Sequence, residues 1–401
     1  MRNLTKSLLA IGASPLVAWQ APPAAAALPP PPPPPVRIAP LDPVAAQQHA
    51  LALLTWMPGE VRCAGQPVTG GTLRRPLNGL TSRSNLQRPV PYRFAIDAAG
   101  RPVSIARNGD AFLPLGDDIA PALATSRFPA GRAQSDCNVT YAPTLHPLAE
   151  APPADLASYT ISPTGSRLPP EGWKRLMEGG TCRNRPSPRP LLRAYPDFEK
   201  LPATPGVRDW SLVGFDIDAK GQPVKLRIVH TTGNGALDAA SLDAVGESRF
   251  TAGPRTGCLY PYHRSAATLA APEKPDEESF RPATSTCPVK SKWAVPPPRR
   301  YPENYRRRSI EGWAVVTYDV APWGEVGNIR VAASQPTEDF GKQAAAMLRS
   351  ARVEASAQGA SGCIETVRFS MQRTGPGRTM SDNASDNASD EDAGAPEAAI
   401  F

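Results

Sequence analysis

The chain is poor in the residues that carry chemistry. It has only 4 histidines in 401 residues. His49, His146, His230 and His263 do not fall at ligand spacing, which argues against a zinc site. There is no CxxC pair, no Cys/His cluster, no glycine-rich phosphate loop, no GxSxG elbow and no HExxH helix. No enzyme activity, cofactor or metal is therefore expected. Asp97 and Asp218 recur at one position of an internal pattern, but read as turn formers rather than as acid–base groups. Aromatics make up 6% of the residues and do not interleave with Arg or Lys, so nucleic acid is not an expected partner. Beyond the N-terminal region, no apolar run is long enough to cross a bilayer.

Proline, by contrast, is abundant, with 49 residues clustered near the N-terminus and between the repeats described below. Such clusters make stiff, extended spacers. The formal net charge is +7, and Asp382, Asp386, Asp390, Glu391, Asp392 and Glu397 lie in a terminal stretch without Lys or Arg. The remaining body is thus strongly basic, which suits anionic or acidic partners. Residues 374–401 are polar, acidic and of low complexity, and are expected to be disordered.

The first residues follow the three-part pattern of an export signal: Arg2 and Lys6, an apolar stretch Leu8 to Trp19, then the small residues Ala24 to Ala27. Cleavage of residues 1–27 is expected, followed by a proline-rich linker, 28–42. An uncleaved inner-membrane anchor is the alternative. Pro15, Gln20, Pro22 and Pro23 make a poor spanning helix.

An exported chain with an even number of cysteines is expected to form disulfides. The 6 present are Cys63, Cys137, Cys182, Cys258, Cys287 and Cys363. Their spacing repeats at 74, 76 and 76 residues within successive pairs. Gly100, Gly221 and Gly324 fall at matching places inside each pair, and Phe128, Phe250 and Val353 follow at matching distances. An internal repeat with pairs Cys63–Cys137, Cys182–Cys258 and Cys287–Cys363 is the simplest reading. Closing each loop stabilises by about 4 to 4.5 kcal/mol in the chain-entropy estimate.

Within a repeat, alternating apolar residues mark a strand: Tyr92, Phe94, Ile96; Val213, Phe215, Ile217; Val316, Tyr318, Val320. The glycine then turns a hairpin, and a second alternating strand follows, with Val103 and Ile105; Val224, Leu226 and Ile228; Ile329 and Val331. A helix comes next. In the third repeat it carries Phe340, Ala344, Met347, Leu348 and Ala351, with Thr337 as candidate N-cap and Glu338 and Asp339 in the first turn. The second has Leu237, Ala240, Ala244 and Val245, and the first Ile119, Ala122 and Leu123. The later cysteine opens a last strand, Cys137–Tyr141, Cys258–Tyr262 or Cys363–Met371, expected at a sheet edge.

The third repeat, with Tyr301-Pro302, a basic helix running to Gly312, the Gly324 hairpin, Ser334-x-Pro336 and an Ala-rich helix, resembles the C-terminal domain of the TonB family. The second repeat carries Tyr195-Pro196, the Gly221 hairpin and Leu237-Asp238-Ala239-Ala240. The first is the most diverged and lacks Tyr-Pro. The resemblance implies an α+β fold of three tandem small domains, each a three-stranded antiparallel sheet with helices on one face. Their expected bounds are 43–150, 168–265 and 283–373. It implies a periplasmic protein that binds extended peptide segments, such as those of outer-membrane transporters, by strand addition to a sheet edge. Tyr301, Pro302, Ser334, Pro336, Ile364, Thr366 and Arg368 are the candidate partner-binding residues. The same edge could pair with its twin to form a homo-oligomer. The family's anchor carries a His that couples to a motor, whereas the first His here is His49. An energy transducer and a structural envelope scaffold are therefore the alternatives to a soluble binder. The run Arg306-Arg307-Arg308 reads as a solvated helix face.

Overall fold

The computed structural model describes residues 51–82, 88–109, 113–288 and 291–371. The expected signal 1–27, the proline-rich linker 28–42 and the acidic tail 374–401 lie outside the described residues. The protein is of mixed α+β type, with several small antiparallel sheets and short helices.

The first unit contains β1 (Ala52–Pro58), β2 (Arg62–Cys63), β3 (Gln66–Pro67), β4 (Gly79–Thr81), β5 (Val90–Ile96), β6 (Pro102–Arg107), α1 (Ile119–Ala124) and β7 (Gln134–Pro147). Helices α2 (Pro153–Ile161) and α3 (Pro170–Leu176) lead on to the second unit. There follow β8 (Pro190–Leu192), β9 (Asp209–Ile217), β10 (Pro223–Thr231), α4 (Gly235–Glu247), β11 (Arg249–Phe250) and β12 (Arg255–Arg264). The third has β13 (Trp293–Val295), α5 (Glu303–Arg307), β14 (Gly312–Val320), β15 (Val326–Gln335), α6 (Glu338–Arg349), β16 (Arg352–Val353) and β17 (Ala360–Phe369).

In the second and third units the hairpin and the last strand form three-stranded sheets, ordered β10-β9-β12 and β15-β14-β17. The alternating residues of β5, β9 and β14 are buried as expected, with Phe215 and Val316 fully so. All three disulfides are formed, and no described cysteine is free.

The hairpin glycines occupy one environment three times over. Gly100, Gly221 and Gly324 have φ of +75°, +82° and +88°. A Cβ on each would lie 2.1 Å from the carbonyl oxygen of Phe128, Phe250 or Val353. The same backbones are joined by hydrogen bonds of 2.9 Å, in which the Phe128, Phe250 and Val353 N–H groups donate to the glycine carbonyls. Only glycine permits both the left-handed conformation and this approach. Four residues on, Ser104, Lys225 and Asn328 each take positive φ, at register shifts in β6, β10 and β15. These β-bulges twist the second strand of every hairpin.

The first unit departs from the expected three-stranded sheet. Its sheet has seven strands, and β7 is internal, paired with β5 on one side and with β1 and β2 on the other. The expected edge position of Cys137–Tyr141 is therefore wrong for this unit. The cause is the segment ahead of Cys63: Leu53, Leu54 and Trp56 are buried, and β1 runs the length Pro58↔Tyr141 to Ala52↔Pro147 along β7. In the third unit Val331, expected on a buried face, is 42% exposed. The outer strand β15 leaves it beside α6 without a further layer to cover it.

Candidate functional site

The segment Cys363-Ile-Glu-Thr-Val-Arg-Phe369 alternates, so β17 presents two different faces. Cys363, Val367 and Phe369 join the core beneath α6. Ile364 lies on the opposite face with Trp313 and Val315, packed against Ala271 and Phe280 of the segment leading into the unit. That segment is fastened there: Trp313 Nε1 donates to the Pro272 carbonyl at 2.9 Å, and Thr366 Oγ1 donates to Glu277 Oε2 at 2.7 Å. Arg368 is exposed. Burial pushes the Glu365 carboxyl up, and the charge of Glu277 adds to this.

Along its length β17 pairs with β14, from Gly312↔Phe369 to Val320↔Ala360. Among the described residues no strand pairs with its other side. The start of that side is occupied, because Thr286 N–H donates to the Ser361 carbonyl and Ser361 N–H to Thr286 Oγ1. An open backbone edge thus begins beyond Gly362 and carries Ile364, Thr366 and Arg368.

The other candidate residues do not gather there. Tyr301 is a packing anchor. Its ring meets Phe340 and Phe369 edge-on, and its hydroxyl donates to the Ile310 carbonyl at 2.6 Å. Pro302 precedes α5 and lines a cleft between the first and third units. Pro336 is buried, and its carbonyl accepts from Ile105 N–H at 2.9 Å. Its neighbour Gln335 exchanges hydrogen bonds with Ser104, and Ser334 is half-buried beside them. The Ser-x-Pro stretch therefore docks against β6 of this same chain.

Two further residues hold this contact, and the sequence carries no local sign of either. Arg308 turns away from the solvated arginine face expected of it. It forms a buried two-pronged pair with Asp118, Nε to Oδ1 being 2.7 Å. Asp118 also accepts from Leu77 N–H at 2.6 Å. Asp118 and Arg308 are 190 residues apart, and each alone reads as an ordinary surface charge. Nearby, Thr337 sits at the expected N-cap of α6 but makes no cap bond. Its hydroxyl donates to Tyr305 Oη, which in turn donates to Asp339 Oδ2 at 2.6 Å. Burial holds the Asp339 carboxyl above the usual carboxylate range, opposed by the Tyr305 hydrogen bond and by Lys342.

The cleft between the two units has a volume of 370 Å³ and is lined in part by Tyr92, Arg107, Asp117, Tyr305, Asp339 and Lys342. Its rim mixes both charges, with Lys342 held by Glu338. Among the described residues no group of three or more His, Cys, Asp or Glu could hold a metal.

The free edge strand, its hairpin partner and the helix above them all fall in one recognisable stretch. Residues 297–371 match the Gram-negative bacterial TonB protein C-terminal family. The match covers a single copy and includes Tyr301, Ser334 and the whole of β17. The match gives this segment a TonB-like character, tied to outer-membrane transport energisation and to protein partners at the outer membrane. No curated protein matches the chain. Among the described residues no helix is long and apolar enough to cross a membrane.

Proposed function

We propose that the chain is a periplasmic, non-enzymatic TonB-like protein made of three disulfide-closed copies of one domain. In this reading it binds extended peptide segments by strand addition at the open edge of β17. The observation that carries the reading is that edge: inside the TonB-matching segment, the backbone from Ile364 to Arg368 has no strand partner on its outer side among the described residues. Unpaired edge backbone is a template for an incoming strand, whose main-chain hydrogen bonds supply affinity while alternate side chains supply selectivity. The threefold recurrence of the glycine contact, the bulge and the disulfide supports three copies.

The test is direct binding of labelled synthetic peptides taken from N-terminal segments of outer-membrane transporters, together with versions N-methylated at alternate backbone amides. Strand addition requires one methylation phase to abolish binding and the other to leave it nearly intact. Equal tolerance of both phases, or no binding by any peptide, overturns the reading. A second reading, an envelope scaffold whose units bind one another, is favoured by the buried Arg308–Asp118 contact. It predicts no peptide binding at all.

A further inference from the structure

The end of β17 and the approach to α5 carry an arginine-rich surface in which most of the guanidinium groups have no ion-pair partner among the described residues. Arg299, Arg300, Arg307 and Arg368 are exposed, and none forms an ion pair among the described residues. Arg306, on the same helix, is paired with Glu303. Tyr301 brings the Arg299-Arg300 run towards Arg368, and Arg307 lies on the helix that follows. Tyr301 directly follows Arg300, and its hydroxyl lies 3.4 Å from the carbonyl oxygen of Phe369, the residue after Arg368. One acid, Glu311, stands at its margin and accepts from the Met371 backbone N–H at 2.9 Å. Met371 is also where the described chain ends, so residues 372–401 leave from the margin of this patch.

Those residues have the opposite charge. Arg373 and Arg378 are their only bases, and six acids follow between Asp382 and Glu397. A coil from Met371 to Asp382 spans roughly 18 Å on average, so the acids can reach the arginines without strain. Tethering holds them there at an effective concentration on the order of millimolar, which lets weak exposed ion pairs act in concert.

We propose that the acidic segment Asp382–Glu397 docks on the patch formed by Arg299, Arg300, Arg307 and Arg368 of its own chain. The docked tail screens this basic surface beside the β17 edge and competes with acidic segments arriving there. That competition rests on the strand-addition reading, whereas the docking does not.

The experiment is ¹⁵N–¹H NMR of the full chain, following the amides of residues 382–397. They are compared at about 50 mM and about 500 mM salt, where the screening length falls from roughly 14 Å to roughly 4 Å. The comparison is repeated for R299E/R300E/R307E/R368E and for R132E/R349E, which reverses charge at exposed sites elsewhere. Docking predicts tail amides displaced from coil shifts at low salt. They return to coil at high salt and in the four-site variant, but not in the two-site variant. Coil shifts in the wild type at low salt overturn the proposal, as does equal loss in both variants or a shift that disappears on dilution. The salt series on the wild type decides the matter even if the four-site variant fails to fold. Failure of peptide binding at β17 would leave these tail shifts unchanged, so the two ideas fail separately.

Discussion

At the residue scale, the hairpin glycines carry the sharpest demand. Gly324 combines positive φ with a carbonyl oxygen 2.1 Å from where a Cβ would stand. Gly324→Ala pays about 1–2 kcal/mol for the left-handed backbone alone, and the clash with Val353 adds to it. Denaturant titration should show a loss above that range, whereas Gly327→Ala, with open space around it and no positive φ, should cost far less. Asp339 makes a second, pH-dependent demand. Its folded pKa is raised by burial, so the folded state holds the proton more tightly than the unfolded state does. Stability from this group is full below the usual carboxylate value and declines as pH rises towards the raised one. Asp97 and Asp216 are shifted down and contribute the opposite slope. Asp339→Asn keeps an acceptor for Tyr305 and removes the charge. Relative to wild type it should gain stability as pH rises above the usual carboxylate value. A parallel pair of stability–pH curves would contradict this account.

At the element scale, the joint between the start of α1 and the end of α5 contains one buried ion pair, Asp118–Arg308. Removing a single partner strands the other in a dry interface, which costs about 3–5 kcal/mol, whereas an apolar pair of similar volume can be close to neutral. Arg308→Ala and Asp118→Ala should each destabilise by that amount, and Arg308→Met with Asp118→Leu much less, as read by chemical denaturation. A double-variant loss equal to the sum of the two single losses would show that the pair is not coupled.

The hairpins were legible beforehand because Tyr92-x-Phe94-x-Ile96 and its counterparts alternate cleanly and end on a glycine. The cysteine spacing likewise pointed to the pairs that form. Strand β1 was not legible. Leu53, Leu54, Thr55 and Trp56 are buried in succession, because β7 and β4 flank the strand and both its faces are covered. Helices α2 and α3 carry little sequence signal because each is short and opens on proline. The Arg308–Asp118 joint escaped because no periodicity links residues so far apart. Of the candidate site, Ile364, Thr366 and Arg368 lie on the open strand, while Tyr301 and Pro336 serve packing and docking.

At the scale of the whole molecule, the three units are not beads on stiff linkers. The hydrophobic core runs continuously from Trp56 and Tyr92 of the first unit to Tyr305 and Phe340 of the third. The second keeps its own core around Phe215 and Cys258. Docking through Gln335, Pro336 and Arg308 covers one side of the third unit and leaves the β17 side open, so a partner has one strand edge to approach there. Native-state hydrogen exchange on the full chain, with and without a bound transporter-derived peptide, tests this most directly. The account predicts added protection at alternate amides between Ile364 and Arg368, with little change in β12. Protection confined to the cleft between the first and third units, or unchanged exchange in β17 with peptide bound, would contradict it.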